Sequence, residues 1–560
     1  MDAGTRRMLA VTGSAALAML ALGLLSMPDH LAGWDPIQFA LGIERFDLTM
    51  HRPHPPGYLG HLGLGGLLTG LGLTPDRAIL WASLLESVGA VLVLGLLGRR
   101  LGGPGVGMAA SWLLATHPLL LQQAVSGEVY PAEALLATGL VLAGVSLDRT
   151  SRRLQVAAFC LLLGLTGGVR QSLPLFLAPF ALWRLWTARG STGREAALRL
   201  GIALGSGALG IALWLVPLAA LSGGIGSLSR AFGRQFFEVF GRAYSPLLGA
   251  SSGAFHANLQ GLWRFLVQVL SLGGALGLLL VPLAFVRRQP MSESSAFRTT
   301  ALAWALPPLL WFSLLFIYKA GHALLLAPLA MLLAARVLQG TRPSRAPMRD
   351  WWVPGLTALV AVGQVGWFLA PPAAWTRVTG DAGLPGIWYG DRETEAFTGL
   401  VRDLGKGDPE GVLVVTRDGR FSFRRAMWHL PETPVQWWMD RDSTGVPMPG
   451  VQVCEARHHE VRCVPGPGFW QDGPLPQRME IPLAEGAHDV VWFVDPLGPM
   501  ARVLDGLPGT ARERVPGTPF ECWRTRLSPG PLALDAGPYR LVRDLGTPDG
   551  GTPIGPPGGP

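Results

Sequence analysis

The sequence predicts a mainly α-helical, polytopic membrane bundle of about eleven spans, followed by a soluble α/β domain. Three observations carry this. Apolar segments of about 14 to 22 residues recur from Met8 to Ala370, most of them near the roughly 20 residues a helix needs to cross a bilayer. The chain is 49% hydrophobic and only 15% charged, a membrane-protein balance. From Pro371 the long apolar runs stop, which divides the chain into a membrane domain over 1–370, an external α/β domain over 371–545 and a tail over 546–560. The tail is rich in glycine and proline and is expected to be disordered.

The first apolar segment, 8–27, follows Arg6 and Arg7. Its flanks resemble a signal peptide, but a run of this length without a clear small-residue cleavage site reads as an uncleaved first helix with its amino end in the cytoplasm. Later spans are expected at 78–97, 105–124, 132–147, 154–169, 173–186, 200–221, 265–285, 301–317, 323–337 and 353–369. Loops or span ends assigned to the inside carry Arg99 and Arg100, Arg149 to Arg153, Arg184 to Arg199, Arg287, Arg288 and Arg298, and Arg342 to Arg349. Short outer loops carry few or none, as the positive-inside rule requires. The alternation needs the glycine-rich stretch 58–73 to lie on the outer face as an interfacial helix. The topology is then amino end inside and carboxyl domain periplasmic or external, as an integral protein of a bacterial inner membrane.

The net charge of +8 does not indicate nucleic acid. The arginines are spread through short loops and form no basic stripe with interleaved aromatics, so the partner they report is the bilayer. Lys319 and Lys406 are the only lysines, which makes an external lysine at 319 conspicuous.

Polar chemistry collects on the outer face. The stretch from Trp34 to Tyr58 holds Asp35, Glu44, Asp47, His51, His54, Arg45 and Arg52. Asp35, just beyond the first span and near low-dielectric surroundings, is expected to act as a base with a raised pKa; its bland reading is a helix-flanking aspartate. In H-P-P-G-Y two prolines and a glycine fix a turn flanked by His54 and Tyr58. Glu128 and Tyr130 lie in S-G-E-V-Y, where Glu128 is either a substrate contact or a cap for the next helix. Lys319 and His322 lie in Y-K-A-G-H. Lys319 and Arg170 are the external cations best placed to meet a phosphate, with His322, Arg234 and Arg242 behind them; snorkelling to headgroups is the competing role. The loop from Ser222 alternates arginines with phenylalanines and suits an interfacial helix. Glu86, mid-span, is read as an interhelical hydrogen-bonding group.

The pattern W-D, then H-P-P-G-Y some twenty residues on, then S-G-E-V-Y after the third span resembles the GT-C superfamily of polyprenyl-phosphate-sugar glycosyltransferases, nearest its protein O-mannosyltransferase-like branch. The resemblance covers roughly the first 190 residues, with topology alone beyond them. It implies a transferase that moves a sugar, with inversion, from a polyprenyl-phosphate carrier to a protein or an envelope glycan or lipid acceptor on the external face. Asp35 matches the acid that deprotonates the acceptor hydroxyl. Many relatives carry a second acid close behind the first; here Pro36, Ile37 and Gln38 follow, leaving Glu44 or Asp47 as partners and any divalent metal unassigned. No other cofactor is implied. Two other classes remain: a flippase of a lipid-linked saccharide, which needs broken helices and midplane charges, and an envelope-assembly protein without activity.

In the carboxyl domain, strands are expected at 411–416, 435–438, 451–454, 461–464, 490–494 and 539–542, with helices at 392–404 and 423–430. No G-x-G-x-x-G or P-loop follows a strand, so nothing here points to a nucleotide. Cys454 and Cys463 flank a hairpin and read as a disulfide, ahead of a zinc site with His458 or His459. Cys160 packs within a span and Cys522 is left unpaired.

Overall fold

The computed structural model describes residues 3–190, 192–241, 244–250, 253–286, 295–343, 348–417, 421–441, 447–465 and 474–543. The tail over 546–560 lies outside the described residues. The chain divides into two compact units, Met1–Asp391 and Arg392–Pro560. The division falls within a helix, Gly383–Leu404, rather than at the composition change at Pro371.

The first unit is helical. In chain order its helices are α1 (Ala3–Ser26), α2 (Trp34–Glu44), α3 (Leu59–Gly70), α4 (Pro75–Gly102), α5 (Pro104–Ala115), α6 (Pro118–Ala124), α7 (Tyr130–Val145), α8 (Arg153–Thr166), α9 (Ser172–Thr187), α10 (Gly193–Leu221), α11 (Ile225–Gly233), α12 (Gly253–Val286), α13 (Ser295–Leu314), α14 (Ala327–Gly340), α15 (Met348–Leu369) and α16 (Ala373–Thr379). Each of the eleven expected spans is occupied by helix. Among the described residues six helical segments are long and apolar enough to cross a membrane: Gly4–Ser26, Pro75–Gly102, Gly193–Leu221, Gly253–Ala284, Ala320–Gly340 and Asp350–Leu369. The helices α5, α7 and α8 are apolar but shorter. At 1.5 Å per residue the 14 residues of α8 reach about 21 Å, against a hydrocarbon core of about 30 Å. The 12 residues of α3 reach only about 18 Å.

Two of the expected spans are interrupted. The segment 105–124 breaks at Thr116 and His117 into α5 and α6, and α12 is kinked at Ser271, where φ is 47°. The polar groups freed there are matched across the bundle. His117 donates from Nε2 to the Val269 carbonyl at 2.9 Å, Gln364 donates to Ser271 Oγ at 2.7 Å, and Thr116 donates to Gln364 Oε1 at 3.1 Å. Buried backbone groups inside a bilayer need such partners.

The second unit begins with the remainder of α17 (Gly383–Leu404) and contains α18 (Phe423–His429), α19 (Pro499–Asp505) and ten strands: β1 (Val412–Arg417), β2 (Val435–Arg441), β3 (Pro447–Arg457), β4 (Glu460–Val464), β5 (Met479–Pro482), β6 (Asp489–Val494), β7 (Thr510–Arg514), β8 (Glu521–Arg526), β9 (Leu532–Ala536) and β10 (Tyr539–Arg543). Seven form a sheet in the order β4-β3-β2-β1-β6-β8-β7 and three a second sheet, β5-β10-β9. The central strands β2, β1 and β6 run parallel and the flanks antiparallel. β1 and β6 are buried along their whole length, which is why they read as unbroken apolar runs. Trp438, Trp492, Trp523 and Tyr539 fill the core between the sheets. Cys454 and Cys463 stand opposite each other on β3 and β4 and are joined by a disulfide, so they are not zinc ligands. Cys160 and Cys522 are free and buried.

Candidate active site

The sequence places Asp35 in the first turn of α2, not in open loop. Its helix buries Pro36 to Gly42 against the bundle, so the carboxylate is carried on a rigid element. The chain then turns at Asp47, whose Oδ1 accepts from the Thr49 amide at 2.9 Å, the Thr49 hydroxyl at 2.7 Å and the Met50 amide at 3.3 Å, while its backbone pairs with Arg52. Asp47 is thereby spent on building a turn, and Glu44 is exposed at the end of α2. Neither lines the cavity that holds Asp35.

H-P-P-G-Y folds back over α2. Gly57 has φ +96°, a region an L side chain resists, and a β-carbon there would press on Leu218. The turn sets His54 against α2: its Nδ1 lies 2.5 Å from Gln38 Oε1 and its Nε2 2.9 Å from the Tyr58 hydroxyl. Because an amide oxygen only accepts, Nδ1 carries a proton; Nε2 donates to the Tyr58 oxygen when the ring is charged and accepts from the Tyr58 hydroxyl when it is neutral. Gln38 is three residues after Asp35 and shares its helix face.

Glu128 is the acid that shares a cation with Asp35. Lys319 is ion-paired with Asp35 and its Nζ lies 3.1 Å from Glu128 Oε1. Ser83 of α4 donates to the Glu128 carbonyl at 2.8 Å and fixes that loop. Glu128 is therefore not a cap. Burial pushes Asp35 upward, but the charges of Lys319 and His54 outweigh it and hold the carboxyl below the ordinary aspartate range. The expectation of a raised value is overturned, because a cation sits where a low-dielectric wall was expected. Glu128 is the carboxyl that is raised: burial pushes it up, and Lys319 offsets this only in part.

Arg170, between α8 and α9, donates to Glu133 Oε1 at 2.7 Å and stands 5.7 Å from the Tyr130 ring. Tyr130 meets His322 edge to face at 5.4 Å, and His322 stacks on Phe312. A cavity of about 500 Å³ opens among these groups. Asp35, His54, Tyr58, Glu128, Tyr130, Arg170 and His322 all line it, and Lys319 closes on it through both carboxylates. The same cavity is also lined by the apolar side chains of Leu175, Phe232, Phe236, Phe237, Trp311 and Phe316. Five polar side-chain atoms of the lining, Glu128 Oε2, Gln171 Oε1, Ser172 Oγ, Gln235 Oε1 and His322 Nδ1, have no hydrogen-bond partner among the described residues. Unmatched buried polar atoms are costly and mark where a polar ligand would bind.

The loop after Ser222 forms α11 and a π-helical turn, Arg234–Gly241, and supplies Ser229, Phe232, Gln235, Phe236 and Phe237 to the cavity. Arg234 does not line it, and Arg242 lies outside the described residues. Sequence reading missed Glu133, Gln38, Gln171 and Ser172. Glu86 bonds His61 across α3 and α4 at 3.0 Å. Among the described residues no group of three or more His, Cys, Asp or Glu side chains is gathered as metal ligands.

No family model matches the chain, and no curated protein matches it. Among solved structures it is similar to ArnT from Cupriavidus metallidurans bound to undecaprenyl phosphate, at 14% identity and a TM-score of 0.48, over 77% of this chain and 92% of that one. It is also similar to the same protein in the apo state, at 15% identity and a TM-score of 0.46, over 78% and 86%. A third is the archaeal oligosaccharyltransferase AglB from Archaeoglobus fulgidus in complex with an inhibitory peptide and a dolichol-phosphate, at 15% identity and a TM-score of 0.42, over 75% and 63%.

Proposed function

We propose that this chain is an integral membrane glycosyltransferase of GT-C type that transfers a sugar from a polyprenyl-phosphate carrier to a hydroxyl acceptor at the external face. One observation carries the reading: a single cavity is lined both by a carboxylate, a guanidinium and unmatched polar atoms and by aromatic and aliphatic side chains. A lipid-linked phosphosugar joins the same two chemistries, with a charged, hydroxylated head on an apolar tail. The W-D and H-P-P-G-Y motifs favour the O-mannosyltransferase-like branch, and thus a protein or envelope glycan or lipid acceptor in a bacterial inner membrane.

In this reading Asp35 takes the proton of the acceptor hydroxyl. The hydroxyl oxygen attacks the anomeric carbon from the face opposite the phosphate, and the configuration inverts. Arg170, held by Glu133, faces the phosphate and stabilises the charge it gains on leaving. His54, bonded to Gln38 on one side, bonds the Tyr58 hydroxyl on the other and positions it at the cavity. His322, Tyr130 and the cavity rim from Gln171 to Ser172 contact the sugar.

A flippase would find breaks in α12 and between α5 and α6. The groups at those breaks are neutral and already bonded to one another, which favours structural repair over a transport site. Membranes incubated with labelled polyprenyl-phosphate sugars separate the two readings. Transfer requires label covalently on an acceptor, lost by at least about a hundredfold in Asp35→Asn. Label that crosses the bilayer still on its carrier, or undiminished transfer by the variant, would sink the assignment.

A further inference from the structure

Lys319 stands beside the cavity and is held by both of the acids that line it. Lys319 pairs with Asp35 and with Glu128, one ammonium shared between two carboxyl groups. Arg170 is paired with Glu133. A phosphate entering this cavity finds every described cation of the site committed. Asp35, meanwhile, is a weak base while an ammonium sits on it.

Transfer moves negative charge in one direction. As the acceptor O–H bond breaks, its proton neutralises the Asp35 carboxylate. The oxygen bonds to the anomeric carbon, the bond from that carbon to the phosphate oxygen breaks, and its electron pair leaves with the phosphate, which gains one negative charge. A cation that begins on the carboxylate and ends on the phosphate follows this displacement.

Lys319 is built to make that exchange. Its side chain is 31% exposed, against 14% for Asp35 and 12% for Glu128, so it is the mobile member of the trio. A flexible four-carbon stem carries a compact charge with three donors. The lysine stands in a short connection between α13 and the 3-10 turn Ala320–Leu326, and Tyr130 and His322 lead from it to Arg170. Glu128 keeps its place when the lysine leaves, because Ser83 holds its carbonyl.

Resting on the glycosyl-transfer reading, we propose that Lys319 is handed from the Asp35–Glu128 pair to the donor phosphate, so that Asp35 becomes a competent base only once the donor is bound. The donor therefore binds before the acceptor is activated. Lys319 acts at both ends of the reaction and is a catalytic residue in its own right.

Lys319 and Lys406 being the only lysines, labelling lysine side-chain nitrogen gives two ammonium signals in the full-length protein. The protein in lipid nanodiscs is titrated with undecaprenyl phosphate, and magnetic coupling between the phosphorus and the lysine nitrogens is read. The expected result is coupling to the signal that Lys319→Met removes. Glu128→Gln, which loosens the ammonium, is expected to bind undecaprenyl phosphate several-fold more tightly than the wild type, and to lose that gain when combined with Lys319→Met. Asp35→Asn releases the same ammonium from the other side and serves as a second variant if Glu128→Gln misfolds. Binding without coupling to Lys319 overturns the hand-over alone, as does a gain that persists in the Lys319→Met background, which would be simple relief of repulsion. Failure of the wild type to bind undecaprenyl phosphate overturns the lipid-phosphate reading itself.

Discussion

Asp35 and Glu128 share one ammonium yet are driven in opposite directions, Asp35 below its ordinary range and Glu128 above. Asp35 works as a base only when ionised. With its value held under the ordinary 3.8, it stays ionised through neutral pH and is lost only as pH falls through that lowered value. The acid limb of kcat/KM, which reports the free enzyme, should therefore lie below the usual aspartate range. Lys319→Met removes the strongest lowering influence and leaves burial opposed by His54 and His51; the limb should move to higher pH. A pH–rate profile in both proteins measures this, and an unmoved limb would assign the base to another group. At this scale much of the cavity was readable from sequence, because Asp35, His54, Glu128, Arg170 and Lys319 interrupt apolar runs on one predicted face. Glu133 was not, since it sits inside a helical run and reveals itself only through Arg170. Gln38 carried a usable signal in its three-residue spacing from Asp35. For Lys319, sequence shows a lone external cation but not that two carboxylates reach it.

Elements hold these groups by close fits that composition hides. The 3-10 turn Ala320–Leu326 packs directly on Tyr130, and a β-carbon on Gly321 would overlap that ring. Gly321→Ala should displace Tyr130 from the cavity, at a cost of about 1 to 3 kcal/mol for overpacking. A lowered unfolding midpoint together with a rise in donor KM is the expected outcome, and normal values in both would show that the turn yields freely. In the carboxyl unit, Asp489 on β6 takes both donors of Arg524 on β8 at 2.7 and 2.9 Å and lies 3.0 Å from His488 Nδ1. Burial pushes this carboxyl up, but Arg524 and His488 prevail and it is held below the ordinary aspartate value. A folded-state value below the unfolded one stabilises the fold above the unfolded pKa, and that contribution disappears as pH falls through the folded one. Arg524→Met should thus make the unit lose structure at a higher pH during acid titration, followed by circular dichroism. The six strands foreseen here are apolar or flank the paired cysteines. β7 and β8 escaped notice because T-A-R-E-R and E-C-W-R-T-R are rich in charge and hold no apolar run; β7 is the edge strand and β8 lies between it and β6.

For the whole molecule, the cavity tests the topology in a way hydropathy cannot. Asp35, Glu128, Arg170 and Lys319 come from four separate connections, and one cavity requires all four on the same face. Between Asp35 and Glu128 the chain runs through α4 and the broken pair α5 and α6; between Glu128 and Arg170, through α7 and α8; between Arg170 and Lys319, through α9, α10, α12 and α13. Counted as crossings, each interval is even, so every one of these connections returns to the same side. On the expected eleven crossings, two further segments after Lys319, ending with α15, would bring the chain back to that side at Pro371, and α1 alone would put the amino end opposite. Six segments satisfy the length of a bilayer, α5, α7 and α8 are shorter, and α9 and α13 fall in neither group; α7 and α8 are consecutive short helices, so their hairpin is the pair to test. If both of its helices failed to cross, parity would survive and the carboxyl end would not move. Only the connection between them would change sides, and it carries Arg149, Arg152 and Arg153. Alkaline phosphatase, active only when exported, should be inactive when fused after Arg153 and active when fused after Arg170 or Thr379. Activity after Arg153 would mean that this hairpin lies along the outer surface, with nine crossings in place of the expected eleven.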